Sequence, residues 1–339
     1  MASKNLRRVG LPVELCSRLA KQHVVTCQEF LTLSSLDLLR MTGRSYEDFP
    51  QLMMTISKHC CPKTTTALEN KKQHKQQSAF LPTSLASLDN ALCGGLACGS
   101  VTEVSGPPGC GKTQLCMMLS VLATLPKRMG GLDSPVIYID TEGAFSSLRL
   151  IEIAQRRYSE YFACQKRLLE MTSRVHLYRE FSTQHIMDRL QVLEESLVET
   201  GAQFVVLDSV ASAVRQEFDS RLPFSLVQRS KFLGQQAAFL KYLAEEFCIP
   251  ILLTNQITVK FNDRPTSTLE TTEEPSVEES FVTTALGTTW GHSANTRLVL
   301  QFLNTQQRQI RVAKSPVAPN MDFSYTVQSS GDDDDNSGE

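Results

Sequence analysis

The fold of this chain of 339 residues is decided by one stretch, Gly106-Pro107-Pro108-Gly109-Cys110-Gly111-Lys112-Thr113. It has the spacing G-x-x-x-x-G-K-[ST] of a phosphate-binding loop. A strand-like run at residues 101–104 precedes it and a helical run begins at Gln114, which is the order that such a loop requires. Glycines allow backbone N–H groups to surround a polyphosphate, and the start of the following helix attracts negative charge. The stretch therefore predicts a nucleotide site formed by all nine residues from Gly106 to Gln114.

The composition sets limits on where the protein acts. A formal net charge of −2 gives no attraction of the whole protein to nucleic acid, so any DNA surface must be local. The chain has no apolar run near the roughly 18 residues of a membrane span and no secretory core, so we expect a soluble intracellular protein without membrane contact. In such a protein the ten cysteines are expected to be reduced thiols, and their spacing fits no zinc site.

Four regions differ in their pattern. Residues 1–61 place apolar side chains at helical spacing, with Gly10 and Gly43 where helices should end, which predicts a small all-α domain. A helix-hairpin-helix module that touches DNA and a domain for packing or partner docking both remain open. Residues 62–80 are polar and basic, as in a linker. Residues 81–328 alternate between strand-like and helix-like runs, and the acidic tail at 329–339 is predicted to be disordered.

The third region predicts an α/β core with a largely parallel central sheet. Continuous apolar runs at Val136–Asp140, Phe204–Asp208 and 249–253 suit strands buried on both faces of such a sheet. Helical stripes lie between them, and the phosphate-binding loop begins the series, as in α/β folds. Three later runs are predicted to complete the sheet as antiparallel strands: 297–303, 309–313 and 323–327.

Polar side chains follow each of the apolar runs. Asp208 ends one strand, in the form of a second magnesium ligand beside the Thr113 hydroxyl. Asp140 and Glu142 end another, and a carboxylate there can orient and deprotonate the water that attacks a γ-phosphate. A third run ends in amides that include Gln256, which can bond the phosphate or the water. Because the carboxyl ends of parallel strands share one edge, these groups are expected to meet the phosphate-binding loop.

Longer motifs resemble the RecA-like recombinases of eukaryotes and archaea. The matching segments cover most of the chain: 106–114, 138–143, 207–212, 243–247, 252–257, 290–297 and 313–316. Residues 6–11, 175–180 and 313–319 most resemble the B-type branch of the eukaryotic paralogues. The resemblance implies a RecA-like ATPase core behind a helix-hairpin-helix type domain, and a DNA-dependent ATPase of low turnover that uses ATP and Mg²⁺ in nuclear recombination repair.

The resemblance also implies roles for single residues. Lys112, Glu142 and Gln256 match the catalytic groups, and Thr113 and Asp208 match the metal ligands. Residues 215–229 and 258–284 match two DNA loops. The implied DNA contacts are Arg215, Arg221, Arg229, Lys260 and Arg264.

Two departures from the family pattern bear on function. Residues 258–284 contain six acidic and two basic side chains, which gives this segment a net charge of −4. A negative charge is the wrong sign for binding a polyanion. The family places a phenylalanine anchor before Thr65-Thr66-Ala67, where this chain has Thr64. A threonine cannot fill an aromatic pocket, and such an anchor is worth a few kcal/mol.

These departures favour an accessory subunit over a self-assembling enzyme. We expect a hetero-oligomer with other recombinase paralogues, the C-type first, that binds single-stranded or branched DNA and assists the main recombinase. The alternatives are an autonomous filament-forming recombinase or RecA-like helicase, a scaffold with a vestigial site, and a P-loop metabolite kinase, for which the sequence shows no acceptor lid. Intact Lys112, Thr113, Glu142 and Asp208 argue against the scaffold.

Overall fold

The chain divides into two units, Met1–Gln76 and Gln77–Glu339. The computed structural model describes residues 4–61, 64, 66–69, 80–218, 222–260, 281–284, 286, 290–304, 306–328 and 331–334. The division falls inside the stretch 62–80 that the composition marks as a linker.

Within the described residues 4–61 of the first unit, four α-helices follow a 3₁₀ turn at Leu6–Val9. The helices are α1 (Val13–Ala20), α2 (Cys27–Thr32), α3 (Ser35–Thr42) and α4 (Phe49–Cys60). Gly10 and Gly43 end their helical segments in the left-handed conformation, as the sequence predicted. Thr26 and Glu29 form a capping box at the start of α2, and the helices enclose Leu19, Phe30 and Ile56.

Beyond α4, residues 67–69 form one helical turn. Thr66 caps it: the Thr66 N–H donates to Glu69 Oε2 at 2.8 Å, and the Glu69 N–H donates to Thr66 Oγ1 at 3.2 Å. Thr64 is exposed just before this turn.

The second unit is built on a ten-stranded sheet. The described strands are β1 (Phe80–Leu81), β2 (Leu96–Ala97), β3 (Val101–Gly106), β4 (Val136–Asp140), β5 (Val175–Arg179), β6 (Phe204–Asp208), β7 (Ile251–Lys260), β8 (Phe281–Thr284), β9 (Thr296–Phe302), β10 (Gln307–Lys314), β11 (Asp322–Gln328) and β12 (Gly331–Asp334). Their order is β12-β11-β10-β9-β3-β7-β6-β4-β5; β8 pairs with β7, and β1 with β2 form a separate pair. The run from β9 to β5 is parallel throughout, which confirms the predicted central sheet.

The three later strands are antiparallel to one another, as predicted, but the first of them also joins the parallel part of the sheet, and the prediction of a disordered tail needs correction. The strand β9 runs parallel to β3 and is antiparallel only to β10, because the chain first returns to the start of β3, where the Asn295 N–H donates to the Val101 carbonyl at 2.9 Å. The acidic segment Gly331–Asp334, predicted to be disordered, pairs with β11. Its backbone completes the hydrogen bonds of an edge strand, which do not depend on side-chain charge.

Helices cover both faces of the sheet. They are α5 (Ala86–Ala91), α6 (Lys112–Thr124), α7 (Ser147–Arg157), α8 (Ser159–Phe162), α9 (Gln165–Ser173), α10 (Thr183–Thr200), α11 (Ser212–Glu217) and α12 (Pro223–Phe247), with a 3₁₀ turn at Lys127–Met129. Alternate strand residues point to opposite sides: Tyr138 packs toward α6, whereas Ile137 and Ile139 pack toward α10 and α12. None of the described helices is both long and apolar enough to cross a bilayer.

The register of the parallel strands brings the predicted site together. Gly106 lies opposite Gln256 in the β3–β7 pair, and Asp140 lies opposite Asp208 in the β4–β6 pair. The ends of β3, β6 and β4 and the middle of β7 therefore lie along one continuous edge, next to the start of α6.

Candidate nucleotide site

The phosphate-binding loop joins β3 to α6 in the strand–loop–helix order that the sequence predicted. Gly109 and Gly111 have φ of 76° and 104°, which side chains rarely adopt. A Cβ on Gly106 would lie 2.6 Å from the Leu300 carbonyl oxygen and 2.7 Å from Cys110 Sγ. The Lys112 Nζ donates to the carbonyls of Gly106 and Pro107, both at 2.9 Å, so the ammonium lies across the loop.

A cavity of about 410 Å³ opens between this loop and the strand ends. Its lining combines the loop with the polar strand ends: Pro108, Gly109, Gly111, Lys112, Thr113, Gln114, Glu142, Asp208, Ser209, Thr254 and Gln256. The glycine-lined opening and the cationic Lys112 suit a polyphosphate, and the neighbouring hydroxyl and carboxylate oxygens suit Mg²⁺. The residues present therefore fit a magnesium nucleotide.

Asp208 lies almost completely buried at the end of β6, with an exposed fraction of 3%. Its Oδ2 accepts a hydrogen bond from the Tyr138 hydroxyl at 2.8 Å, and its Oδ1 accepts one from Thr254. Burial raises the pKa of this carboxyl, and the bonds from Thr254, Tyr138 and Thr113 only partly offset the lost hydration. The bond from Thr113 joins the two predicted magnesium ligands.

Glu142 is exposed and also lines the cavity. Its Oε1 accepts hydrogen bonds from Ser209 Oγ at 2.6 Å and from Gln256 Nε2 at 3.2 Å. The side-chain oxygen of Gln256 in turn accepts a bond from the Arg215 guanidinium. A chain of hydrogen bonds therefore connects Ser209, Glu142, Gln256 and Arg215.

Asp140 has a different role from the neighbouring Glu142. It is fully buried, and its Oδ1 accepts the backbone N–H groups of Glu142, Gly143 and Ala144 at 3.1, 2.8 and 3.2 Å. Its Oδ2 accepts the Phe145 N–H at 3.1 Å. Asp140 thus holds the turn that carries Glu142 and does not line the cavity, so of the two acids left open by the sequence, Glu142 is the one in place to act on a water.

Comparison with known protein families assigns each of the two units of the chain. The Rad51 family model matches residues 74–335, and an XRCC3/RpoA-like helix-hairpin-helix domain matches residues 6–60. The chain belongs to the Rad51 family. This family comprises RecA-like proteins of DNA repair and recombination, and the small first domain is of the helix-hairpin-helix type.

Named relatives extend this family assignment. The chain is 50% identical to the human "DNA repair protein RAD51 homolog 2", over 98% of its own length and 89% of that protein. It is 33% identical to the protein of that name from Arabidopsis thaliana, over 98% and 90% of the two chains. It is 30% identical to the "DNA repair protein RAD51 homolog 3" of Cricetulus griseus, over 75% and 68%. Similarity to the two RAD51 homolog 2 proteins therefore spans both units of this chain, and similarity to the RAD51 homolog 3 protein spans three quarters of the chain.

Two of the DNA-contact residues inferred from the Rad51 family resemblance lie near the nucleotide cavity. Arg215 on α11 is exposed and bonds Gln256, and Arg229 on α12 lies close enough for the charge of Arg215 to lower its pKa, an effect second to that of burial. Arg221 and Arg264 lie outside the described residues, as do the side chain of Lys260 and most of the acidic stretch 258–284.

Two features of this site were not found from the sequence. Arg149 on α7 donates through Nε to Gln114 Oε1 at 2.7 Å, and Glu152 holds the same guanidinium at 2.8 Å. Glu217, the last residue of α11, accepts the Thr183 N–H at 2.8 Å and so attaches the end of α11 to the start of α10. The contacts of Arg149 with Gln114 and of Glu217 with Thr183 have no sequence signal, because the two residues of each contact are more than 30 positions apart.

Proposed function

We propose that this chain is an ATP-binding and ATP-hydrolysing, DNA-binding accessory subunit of homologous-recombination repair in the nucleus. It acts in a complex with other recombinase paralogues, the C-type first, and promotes assembly of the main recombinase on single-stranded DNA. The observation that carries this proposal is the position of Gln256 between Glu142, at the nucleotide cavity, and Arg215, at the start of the first DNA loop.

The chemistry of hydrolysis follows from the arrangement of the side chains. When bound, Mg²⁺ supplies positive charge to the phosphate oxygens. Lys112 and the backbone N–H groups of the loop bind and orient the phosphates, and Thr113 with Asp208 holds the metal. Glu142 accepts the proton of the attacking water, while its bond from Ser209 keeps the carboxylate facing the cavity. Gln256 donates a hydrogen bond to the same carboxylate, so loss of the γ-phosphate can shift its amide. Because Arg215 bonds this amide, the shift can move Arg215 as well.

The accessory role is supported by two features of the chain. Thr64, exposed beside the Thr66 cap, stands where the family resemblance places an aromatic anchor for an identical neighbour. The net charge of −4 over residues 258–284 would repel the DNA phosphates that a homopolymer has to grip. Both features favour a different paralogue as the neighbouring subunit.

The nucleotide assignment is tested by direct ATP titration and by hydrolysis assays. Lys112→Ala should weaken ATP binding by at least tenfold, because it removes the cation at the phosphates, whereas exposed Lys127→Ala should not. Glu142→Gln should bind ATP normally and hydrolyse it at least 100-fold more slowly, since a general base contributes about 10² to 10⁴. Glu199→Gln, an exposed glutamate on α10, is its control. Unchanged ATP binding by Lys112→Ala would show that the site is wrongly assigned.

The hetero-oligomer is tested by light scattering and by co-purification. With ATP, Mg²⁺ and single-stranded DNA, the isolated chain should stay small, and the native protein should carry another paralogue with it. Long regular filaments of the isolated chain would instead establish the autonomous recombinase.

A further inference from the structure

A buried carboxylate lies beneath the nucleotide site, on the strand that leads into the phosphate-binding loop. Glu103 on β3 is fully buried, and three side chains donate hydrogen bonds to it. Its Oε1 accepts from Asn255 Nδ2 at 2.6 Å and from Trp290 Nε1 at 3.0 Å, and its Oε2 accepts from Arg297 Nε at 2.7 Å. The donors come from three separate segments of the chain, so the carboxylate holds these segments in a fixed relation.

One of these segments leads directly to the catalytic amide. Asn255 is itself fully buried near the point where β7 passes the cavity. While its Nδ2 donates to Glu103, its Oδ1 accepts the backbone N–H of Gln256 at 2.8 Å. Gln256 then bonds Glu142. The position of Gln256 therefore depends on Asn255, and the orientation of the Asn255 amide depends on Glu103.

The other two donors hold the turn at residues 290–294. The indole of Trp290 is buried, with an exposed fraction of 1%. Arg297 donates from Nη2 to the Gly291 carbonyl at 3.3 Å in addition to its bond with Glu103. Lys314 reaches the same turn, donating to the carbonyls of Gly291 at 3.3 Å and Ala294 at 2.6 Å. This turn lies outside the cavity and carries cations on its carbonyls.

We propose that Glu103 is a positioning residue that couples Gln256 to the turn at residues 290–294, so that a change of the phosphates at Gln256 alters the surroundings of Trp290. The inference rests on the proposed function, since it requires ATP to bind at the phosphate-binding loop. It extends that function by connecting the cavity to a second, cationic surface element through one buried acid. A purely structural Glu103 would stabilise the core equally with and without nucleotide.

The chain contains one tryptophan, so Trp290 can report on the coupling directly. The full-length protein is prepared with 5-fluorotryptophan, and its ¹⁹F resonance is recorded with no nucleotide, with Mg-ADP and with a non-hydrolysable ATP analogue. We expect the resonance to differ between the ADP and analogue states in the wild type, and the difference to be lost in Gln256→Ala. Nucleotide binding by both proteins is measured separately by titration.

The outcomes separate the inference from the function it rests on. If the analogue binds in the titration and the wild-type resonance is the same in the ADP and analogue states, the coupling does not exist while the ATP-binding function stands. If the difference persists in Gln256→Ala, the signal does not pass through Gln256 and the proposal is overturned. If neither nucleotide binds, both proposals fail together.

Kinetics provide a second test on the coupling partner itself. Glu103→Gln keeps the size of the side chain but cannot accept from all three donors, and it should lower kcat about tenfold with KM for ATP within twofold, as small misplacements do. In the background of Gln256→Ala the same change should have no further effect on kcat. Multiplication of the two effects would indicate a structural role only. Trp290→Phe, which removes one N–H and keeps a large ring, should reproduce part of the loss if Glu103→Gln does not fold.

Discussion

Asp140 offers the sharpest test of how the site is held together. Four backbone N–H groups donate hydrogen bonds to the Asp140 carboxylate at 2.8–3.2 Å. The variant Asp140→Ala removes the acceptor of all four bonds. The residues Glu142, Gly143 and Ala144 are exposed, so water can replace three of these bonds, whereas Phe145 is buried. Hydrogen bonds to a charged group contribute about 1.5–3 kcal/mol each, and replacement by water recovers much of that. We therefore expect Asp140→Ala to lower the free energy of unfolding by about 3 kcal/mol.

The same variant should lower activity by displacing Glu142. Without Asp140 the turn at residues 141–145 loses its anchor, and a displacement of about 1 Å costs roughly 10²-fold in rate. Binding of ATP should change by less than about threefold, because Lys112 and Thr113 are on a separate segment. The free energy of unfolding is measured in urea, ATP affinity by titration, and hydrolysis under single-turnover conditions.

Asp188→Ala is the matched control, because Asp188 is exposed on α10 and accepts only a bond from Gln184 among those described for it. Two results would contradict the reasoning. A stability loss below about 1 kcal/mol would mean that the four bonds are replaced at no cost. Wild-type hydrolysis in a folded Asp140→Ala protein would mean that Glu142 does not need this anchor.

Four further predictions concern charged side chains. The pKa of Asp208 is raised in the folded protein, so ionisation of this carboxyl lowers the free energy of unfolding at neutral pH. Without ligands, Asp208→Asn should therefore be more stable than the wild type at neutral pH. Urea unfolding should show that this difference disappears as the pH falls below the ordinary aspartate range. Mg²⁺-dependent ATP binding should be lost in the same variant. Replacing Arg215 and Arg229 by Ala should reduce the slope of log affinity for single-stranded DNA against log salt by about 1.4, equally for every sequence; an unchanged slope would remove them from the DNA surface. Glu217→Ala should weaken DNA binding without changing ATP affinity, as measured by fluorescence anisotropy and titration, because it detaches α11 from Thr183.

Much of the architecture could be predicted because its signals are local. The phosphate-binding loop, the apolar runs of β4 and β6, and the stripe of Ile186, Leu190, Leu193 and Leu197 each lie within one short segment. The structure confirms them as loop, strands and a buried helix face. The parallel arrangement then followed from the alternation of strands and helices, and it brought the polar strand ends to one edge.

The rest depended on contacts between distant segments. Glu103 looks like an ordinary polar residue in a strand, and its three donors lie about 150 to 190 positions further along the chain. Asp140 and Glu142 are two residues apart and chemically alike, so their pattern alone did not decide which faces the cavity, and only the family resemblance indicated Glu142. The parallel pairing of β9 with β3 could not be predicted, because hydrophobic alternation indicates a strand but carries no information about its neighbour.

Asp208 and Thr254 are buried and line the nucleotide cavity, and Asp208 accepts a hydrogen bond from Tyr138 of the hydrophobic core, so the cavity is connected to that core. Any ligand held there stabilises the folded chain by mass action, by about 2.7 kcal/mol at a concentration one hundred times its Kd. Cellular ATP would then act as a folding aid, and variants that lose it would be cleared faster by proteases. A low cellular level of a variant protein could therefore follow from a damaged nucleotide site as well as from a damaged core, and only purified protein separates the two.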